Sequence, residues 1–303
     1  MTETPHPSAS PTAQPSSDTL GLGRTSGQRG AEIIAGFRAE KYPTPETLAL
    51  SRWAGRIVAR MFMRLPHSDK AMNYLVARLY GLTELARRAL PAQRENAVIV
   101  ELACGLSPRG LYLAREFPDV QVIEIDLPDV VRDKQKRLEQ ARSLTLSPNI
   151  RWLAADLGVT SLDEILENQQ VDVVIAEGLT PYFTNAEVIR MANHIRNSLK
   201  PGGSFVCDLP WDEGPGGEGQ QVAGLFSRQA GIYKCKLKNE AEARQLLADA
   251  GYESIELHRP AQMAETLKLP QPVIEYSFFA WGRKAPQQAA APVEAPADTA
   301  PPA

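Results

Sequence analysis

Cysteine is scarce in this sequence, and no apolar run is long. The three cysteines, Cys104, Cys207 and Cys235, lie far apart and form no Cys-x-x-Cys pair, so neither a zinc site nor a disulfide framework is expected. No run approaches the ~20 apolar residues that cross a bilayer, and the first residues lack the basic-then-apolar pattern of a signal peptide. These absences predict a cytoplasmic protein that binds no metal and has no membrane partner.

A surplus of positive charge is also missing. Lys and Arg together number 33, against 36 for Asp and Glu, which gives a net charge of −3. Because binding to a phosphate backbone relies on clustered positive charge, we expect no nucleic-acid partner. A small molecule is the expected partner, and the oligomeric state stays open.

Both ends of the chain are poor in residues that could form a core. Residues 1–30 and 285–303 consist mostly of Pro, Ser, Thr, Ala and Gly, whose apolar surface is too small to offset the entropy lost on ordering. We therefore predict two disordered tails around a folded region. Within that region, residues 31–95 are predicted as a helical extension and residues 96–284 as one α/β domain.

Short β-branched runs alternate with amphipathic segments of helical length from Asn96 onward. This alternation is typical of a parallel sheet covered by helices on both faces. Two late runs, 252–259 and 274–283, are separated by a loop, which predicts an antiparallel end to the sheet. The fold class is therefore α/β, with a Rossmann-like, mostly parallel seven-stranded sheet and an antiparallel final strand. The five earlier runs are 97–103, 120–126, 150–156, 171–178 and 204–209.

The extension before the sheet is predicted to be helical. Aromatic and aliphatic residues recur at intervals of three and four over residues 31–41, 46–65 and 70–90, as on the buried face of a helix. These helices could simply pack on the sheet. Because the ligand crevice of an open α/β sheet lies beyond the carboxyl ends of its strands, they could also form a lid, and both alternatives stay open.

The turn after the first strand does not suit a dinucleotide. Residues 103–105, Ala-Cys-Gly, supply one glycine where the G-x-G-x-x-G motif needs two. Glu101 ends the strand, and its negative charge would repel a phosphate. An acid there suits a ligand that is cationic near the loop, such as an ammonium or a sulfonium. An NAD(P)-dependent oxidoreductase, which shares the sheet pattern, is therefore disfavoured.

Three further strands also end in an acid. Asp126 ends the second strand, where a carboxylate can accept hydrogen bonds from both hydroxyls of a ribose. Asp156 ends the third strand and could accept from the exocyclic amine of adenine, with Leu157 packing on the ring. Glu177 ends the fourth strand. Each acid alone could be a surface residue or a helix cap, but together the four predict a pocket for S-adenosylmethionine.

Four stretches of the sequence carry a family resemblance: VELACGLSPRGLYL, VIEIDLPDVVRDKQKRL, AADLG and VIAEGLTPYFTNAEVIRM. They resemble class I S-adenosylmethionine-dependent methyltransferases, and more narrowly the leucine carboxyl methyltransferase family with its bacterial small-molecule O-methyltransferase relatives. The resemblance covers roughly residues 70–285. It implies an enzyme that transfers a methyl group to an oxygen, in a carboxylate or a hydroxyl, of a small molecule or a carboxyl group. A relative that binds the cofactor without catalysis is the remaining alternative.

The resemblance also implies which residues bind the cofactor. The segment VARLYGLTELARRAL looks like the family segment whose arginine pairs with the cofactor carboxylate, which would be Arg78 here. Ala103 and Ser107 depart from the glycine and the aspartate usual in the family, so the methionine end of the pocket stays open. Glu101 would shape the loop. By position, the other cofactor contacts would be Gly105, Asp126, Asp156, Leu157 and Glu177.

Catalysis can rest on proximity, because methyl transfer from a sulfonium is an in-line displacement. A carboxylate acceptor needs no general base, whereas a hydroxyl does, and none of the four histidines is well placed as one. No catalytic residue is therefore assigned. The candidate substrate contacts are Tyr182 and Phe183 after the fourth strand, and Asp208 and Trp211 at the end of the fifth. Packing is the alternative role for Tyr182, Phe183 and Trp211. Arg109 is either part of the site or a residue on a helix surface.

Overall fold

The computed structural model of the chain describes residues 26–65, 68–212 and 233–286. Most of the two predicted disordered tails, namely residues 1–25 and 287–303, lies outside these ranges. The first helix begins at Ser26, so the folded region starts a few residues earlier than the sequence predicts. No helix in the described ranges is long and apolar enough to span a bilayer.

Seven strands form one sheet in the described part of the chain. They are β1 (Val98–Leu102), β2 (Gln121–Asp126), β3 (Ile150–Ala154), β4 (Val171–Ala176), β5 (Leu199–Pro210), β6 (Ser254–His258) and β7 (Ser277–Arg283). Their order in the sheet is β3-β2-β1-β4-β5-β7-β6. The first five strands in this order run parallel to one another, and β7 pairs antiparallel with both β5 and β6. This arrangement confirms the predicted fold class.

Helices precede the sheet and connect its strands. In the described ranges, four of them form the N-terminal extension and the others lie between the strands. Of these others, all but Leu162–Ile165 and Pro260–Thr266 are predicted from the sequence. In chain order the helices are α1 (Ser26–Lys41), α2 (Pro45–Leu50), α3 (Trp53–Phe62), α4 (Ser68–Ala89), α5 (Arg109–Glu116), α6 (Pro128–Gln140), α7 (Leu162–Ile165), α8 (Asn185–Ser198), α9 (Glu240–Asp249) and α10 (Pro260–Thr266), with a 3₁₀ turn at Thr180–Tyr182.

The sheet is buried on both faces. Successive side chains of a strand point to opposite faces, and in β1 Ile99 packs into one apolar cluster while Val98 and Val100 pack into another. β1 lies between β2 and β4, so the order of the strands reverses on either side of it. In open α/β sheets, the ligand crevice lies beyond the carboxyl ends of the strands at this reversal. We therefore expect a ligand site at the carboxyl ends of β1 and β4.

Two predicted connections differ from the structure. The predicted helix 46–65 is divided into α2 and α3, because the chain is extended at Arg52. Side chains replace the helical hydrogen bonds at this break: the amide N of Arg52 donates to Glu32 Oε1 at 3.1 Å, and Arg137 Nη1 donates to the carbonyl of Leu50 at 2.5 Å. The predicted loop between β6 and β7 contains α10, a seven-residue helix that is too short for a clear periodic pattern.

The extension is held together by a close crossing of α1 and α3. Gly36 and Gly55 meet at this crossing, where a Cβ added to Gly36 would lie 2.3 Å from the backbone carbonyl of Gly55. Phe37 and Phe62 pack beside them, with ring centroids 5.1 Å apart. The two glycines therefore let the helix backbones approach more closely than any larger residue would permit.

We expect Gly36→Ala to destabilise the protein by roughly 1–3 kcal/mol, because the added methyl forces α1 and α3 apart. Urea unfolding measures the change. Gly202→Ala is the control: its added Cβ meets nothing within 4 Å, so it shows only the cost of its left-handed backbone. A Gly36→Ala variant as stable as the wild type would mean that the helices do not touch at this crossing.

Candidate functional site

A cavity of about 450 Å³ opens at the carboxyl ends of β1, β2 and β4. Small-molecule sites commonly have volumes of ~300–1,000 Å³. The extension contributes one wall through α1, with Gly30, Ala31, Ile34 and Arg38. Nine of the eleven residues predicted to contact cofactor or substrate line the cavity: Arg78, Glu101, Gly105, Asp126, Asp156, Leu157, Glu177, Tyr182 and Phe183.

The loop after β1 is held by buried polar contacts. Gly105 has a φ of +53°, a backbone conformation that glycine adopts without strain, and its amide N donates to Asp126 Oδ2 at 2.6 Å. Farther along the loop, Lys134 Nζ donates to the carbonyl of Ser107 at 2.7 Å. Lys134 is fully buried and also pairs with the buried Glu124 at 2.7 Å. The loop is therefore fixed from β2 and α6 before any ligand binds.

Asp126 lies at the rim of the cavity. Its Oδ2 accepts from Gly105, and its Oδ1 accepts from the amide N of Leu127 at 2.7 Å. Burial raises the pKa of Asp126 above its usual value, and these two hydrogen bonds oppose the rise. A carboxylate oxygen has two lone-pair sites, so each oxygen keeps one for a ligand hydroxyl.

Asp156 and Leu157 stand next to Asp126 along the same edge of the sheet. Asp156 is exposed, and its Oδ1 accepts from the amide N of Gly158 at 2.9 Å. Leu157 is half-buried and packs against the apolar cluster on one face of the sheet. The two therefore present a carboxylate beside an apolar surface.

Three arginines and three carboxylates meet at the inner end of the cavity, and four of the six, Arg38, Arg78, Glu101 and Glu177, line it. We call the six residues the arginine–carboxylate cluster: Arg38, Arg78, Arg109, Glu101, Glu177 and Asp208. Glu177 is its centre. Its Oε1 accepts from Arg38 Nη2 and from Arg78 Nε, the latter at 2.9 Å, and its Oε2 accepts from Arg109 Nη2. Glu177 therefore pairs with three arginines of the protein while it lines the cavity, and its role as a cofactor contact stays a prediction.

Arg109 connects the cluster to its surroundings. Its side chain is fully buried, and it donates to Glu101 Oε1 and Glu177 Oε2. It also donates through Nε to Thr83 Oγ1 at 3.1 Å and through Nη2 to the carbonyl of Leu79 at 3.3 Å. The alternative that Arg109 is a surface residue is therefore wrong.

Arg78 is bound within the cluster as well. Besides Glu177, it contacts Asp208, with Nη1 3.4 Å from Oδ2. Asp208 Oδ1 also accepts from the amide N of Gly178 at 2.6 Å. The arginine predicted to pair with the cofactor carboxylate thus lines the cavity while pairing with two carboxylates of the protein.

The charges of the cluster balance when all six groups are ionised. Burial alone would raise the pKa of Glu177, but the charges of Arg38, Arg109 and Arg78 outweigh burial and hold this pKa well below its usual range. A buried charge without a partner is costly. The cluster therefore depends on all of its members being present together.

Two buried atoms of the cluster have no hydrogen-bond partner in the described part of the chain. They are Glu101 Oε2 and Arg38 Nε, and both residues line the cavity. Buried polar atoms without partners are rare in folded proteins. An acceptor and a donor of this kind suit a ligand that carries both an ammonium and a carboxylate.

The predicted substrate contacts are divided between two places. Tyr182 and Phe183 line the outer part of the cavity, and the Tyr182 ring lies edge-on to Tyr233 at 5.4 Å. Trp211 does not line it. Its ring stacks on Phe278 at 4.8 Å, and its indole N donates to the carbonyl of Lys238 at 2.9 Å, so the packing alternative holds for Trp211.

Arg38 is absent from the predicted site residues, and Asp208 is predicted only as a substrate contact. Arg38 lies on α1, more than 130 residues from Glu177 along the chain, and Asp208 lies inside β5. An arginine on an amphipathic helix gives no signal that separates it from a surface residue. Only the folded chain brings α1, α4 and α5 to the same strand ends.

Comparison with known proteins gives three findings. The family described as Leucine carboxyl methyltransferase matches residues 50–196. The tetracenomycin polyketide synthesis O-methyltransferase TcmP of Streptomyces glaucescens is 32% identical over 153 residues, which are 50% of this chain and 53% of that protein. Acetylserotonin O-methyltransferase of Mus musculus is 26% identical over 165 residues, 54% of this chain and 41% of that protein. The matches thus span about half or less of these relatives.

A solved structure supports the fold. A possible exported protein from Bordetella parapertussis superposes with a TM-score of 0.55 at 16% identity, covering 86% of this chain and 97% of that chain. At this identity the likeness concerns the fold alone.

We expect Glu177→Gln to destabilise the protein at neutral pH by about 3–5 kcal/mol, because three buried guanidinium groups lose a negative partner. The folded-state pKa of Glu177 lies below the value of about 4.3 for an unfolded glutamate. Its stabilising contribution is therefore complete above about pH 4.3 and is lost as the pH falls toward the folded-state pKa. Urea unfolding at several acidic and neutral pH values should show the gap to wild type closing in acid.

The control for this measurement is Asp69→Asn. Asp69 is 73% exposed in its pair with Lys41, so its substitution should change stability little at any pH. A Glu177→Gln gap that stays constant or widens in acid would contradict the central position of Glu177.

Proposed function

We propose, on the premise that this chain is a class I S-adenosylmethionine-dependent methyltransferase related to the leucine carboxyl methyltransferases, that it transfers a methyl group to an oxygen of a small molecule. The observation that carries the proposal is the row of strand-end carboxylates along one cavity, closed at its inner end by the arginine–carboxylate cluster. Because the matched region spans only about half of the relatives, both the methyltransferase activity and the methyl acceptor of this protein belong to the proposal.

The lining residues fit S-adenosylmethionine. Asp126 would accept from the ribose hydroxyls through its remaining lone pairs, and Asp156 with Leu157 would hold the adenine. Glu101 Oε2 and Arg38 Nε, which have no hydrogen-bond partner among the described residues, would hold the ammonium and the carboxylate of the amino-acid end. Arg78 would support the carboxylate from within the cluster.

The bound cofactor supplies an electrophilic methyl group on a sulfonium. This chain's residues need only hold the acceptor oxygen in line with that group, which is worth several orders of magnitude in rate. Burial raises the pKa of Tyr182, so its hydroxyl stays protonated and can donate to the acceptor oxygen but cannot act as a base. Within the part of the chain that the structure describes, none of the residues that line the cavity is a histidine. These features favour an acceptor that is already ionised, such as a carboxylate, over a neutral hydroxyl.

We further propose that α1, the first helix of the N-terminal extension, acts as a lid over the cavity. Gly30, Ala31, Ile34 and Arg38 of α1 line the cavity, and Arg38 joins α1 to Glu177. A ligand held behind this wall would require α1 to separate from the cluster before entry or release. We therefore propose that the Arg38 to Glu177 contact keeps α1 closed.

We also propose a cytoplasmic location and a small-molecule acceptor. Cys104, Cys207 and Cys235 are buried and unpaired, as is usual in a reducing compartment. The outer cavity presents Leu179, Tyr182 and Phe183, which suit a compact apolar molecule.

The cofactor proposal predicts the effect of Asp126→Ala. We expect this variant to bind S-adenosylhomocysteine about 10- to 100-fold more weakly, through lost hydrogen bonds in a partly buried site. Isothermal titration calorimetry measures the dissociation constant. Asp129→Ala is the matched control, because Asp129 is 65% exposed on α6 and pairs only with Arg132 among the salt bridges described.

Equal affinity of wild type and Asp126→Ala would show that the ribose is held elsewhere. If wild type binds neither S-adenosylmethionine nor S-adenosylhomocysteine, the proposed function fails. Binding without turnover of any carboxylate or hydroxyl acceptor would favour the non-catalytic alternative.

The lid proposal predicts that Arg38→Gln speeds release of S-adenosylhomocysteine. We expect both the association and the dissociation rate, measured by stopped flow, to rise by about tenfold or more, because an open α1 speeds entry as well as release. Loss of the proposed Arg38 contact to the ligand alone would raise mainly the dissociation rate. Lys41→Gln, on the last turn of the same helix and paired with exposed Asp69, should leave both rates unchanged. Equal rates in wild type and Arg38→Gln would remove the lid from the account.

A further inference from the structure

Exposed apolar side chains are concentrated in one short part of the chain. Ten large hydrophobic residues are exposed in the described ranges, and seven of them fall within residues 42–65. Single exposed apolar residues are normal on a protein surface, but contiguous patches mark interaction sites. The seven are Tyr42, Leu48, Trp53, Ile57, Val58, Met61 and Leu65.

Three of these residues form a stripe along α3. Trp53, Ile57 and Met61 are spaced four residues apart, so they lie on one face of the helix, and they are 75%, 41% and 62% exposed. We call them the α3 stripe. The opposite face of α3, with Gly55 and Ala59, is buried against α1. The stripe therefore points away from the protein, with Val58 beside it.

The charges beside the stripe are already paired within the protein. Arg56 Nε and Arg60 Nε contact Glu40 at 2.6 and 2.7 Å, and Arg52 Nη2 contacts Asp133 Oδ1 at 2.6 Å. These arginines therefore do not require an anionic partner. The exposed face of α3 is left with an apolar surface as its main feature.

The α3 stripe is nearly symmetric about Ile57, because a large apolar residue lies four positions away on either side. If two copies of α3 pack antiparallel about a two-fold axis at Ile57, then Ile57 meets Ile57 of the other copy and Trp53 meets its Met61. Methionine sulfur packs favourably against aromatic rings, and Trp is the residue type most often central to interfaces. In this arrangement Arg60 faces the small Ala54 of the other copy.

The size of the surface also fits a dimer. The stripe with Val58 and Leu65 exposes an apolar area on the order of 500 Å², near the upper range for the largest patch of a monomer. A stable interface buries ~800 Å² on each partner, so the apolar surface would supply the centre and the neighbouring arginine pairs the rim.

We propose that the α3 stripe is the centre of a symmetric interface between two copies of this chain. α3 packs directly on α1 through Gly55 and Gly36, and α1 lines the cavity. The dimer interface would therefore lie on the far side of α3 from α1 and would hold α1 in place. Two-fold homodimers are the commonest oligomers. The proposal stands independently of the chemistry in the cavity.

Sedimentation velocity over about 1 to 100 μM tests the proposal. The full chain should sediment with twice its mass of 33.2 kDa, and Trp53→Glu with Met61→Glu should raise the dimer dissociation constant at least about 100-fold, as expected for central interface residues. Leu146→Glu, at an exposed apolar residue far along the chain, is the matched control and should remain dimeric. Circular dichroism checks that each variant is folded.

Cross-linking tests the two-fold axis itself. The three native cysteines are buried, so Ile57→Cys adds one exposed thiol, which should form a disulfide with its copy under mild oxidation. Leu146→Cys should not.

Three results would overturn the proposal. One is a monomer at every concentration, and another is a dimer that the double substitution does not weaken. The third is a monomer that binds vesicles of phosphatidylserine and phosphatidylcholine through the stripe, which would assign the stripe to a lipid surface.

Discussion

The burial of Glu177 among three arginines is the interaction on which the rest of the site depends. Arg38, Arg78 and Arg109 come from α1, α4 and α5, and they meet a carboxylate that follows β4. Leaving any one of these charges without its partners would cost several kcal/mol. The extension, the first crossover helix and the sheet are therefore fixed to one another at the place where the cavity forms.

This arrangement explains how a neutral cluster can serve a zwitterionic ligand. The cluster carries three positive and three negative groups, so it neither attracts nor repels a net charge strongly. In the proposed complex, selectivity would then fall to the rim carboxylates and to Glu101 Oε2 and Arg38 Nε, two atoms for which the described ranges offer no hydrogen-bond partner. Asp126 would have two roles, because the carboxylate that would hold a ribose also accepts a hydrogen bond from Gly105 and so fixes the loop after β1.

The sequence predicts the fold and the rim of the site well, and the inner end poorly. Buried strands, the stop signals between elements and the acids at strand ends are local features, so β1 to β5 and the positions of Asp126 and Asp156 follow from patterns. The roles of Arg38, Arg109 and Asp208 depend on contacts between residues far apart in the chain, and a charged residue on a helix gives no local sign of burial. For the same reason Trp211, close in sequence to the site, packs on Phe278 instead.

The most direct test of this account is a crystal structure of the protein with S-adenosylhomocysteine. The account predicts that the Asp126 carboxylate lies within hydrogen-bond distance of the ribose hydroxyls, and that the amino-acid end reaches Glu101 and Arg38. A nucleoside bound away from Asp126, or an amino-acid end that does not touch the cluster, would contradict it.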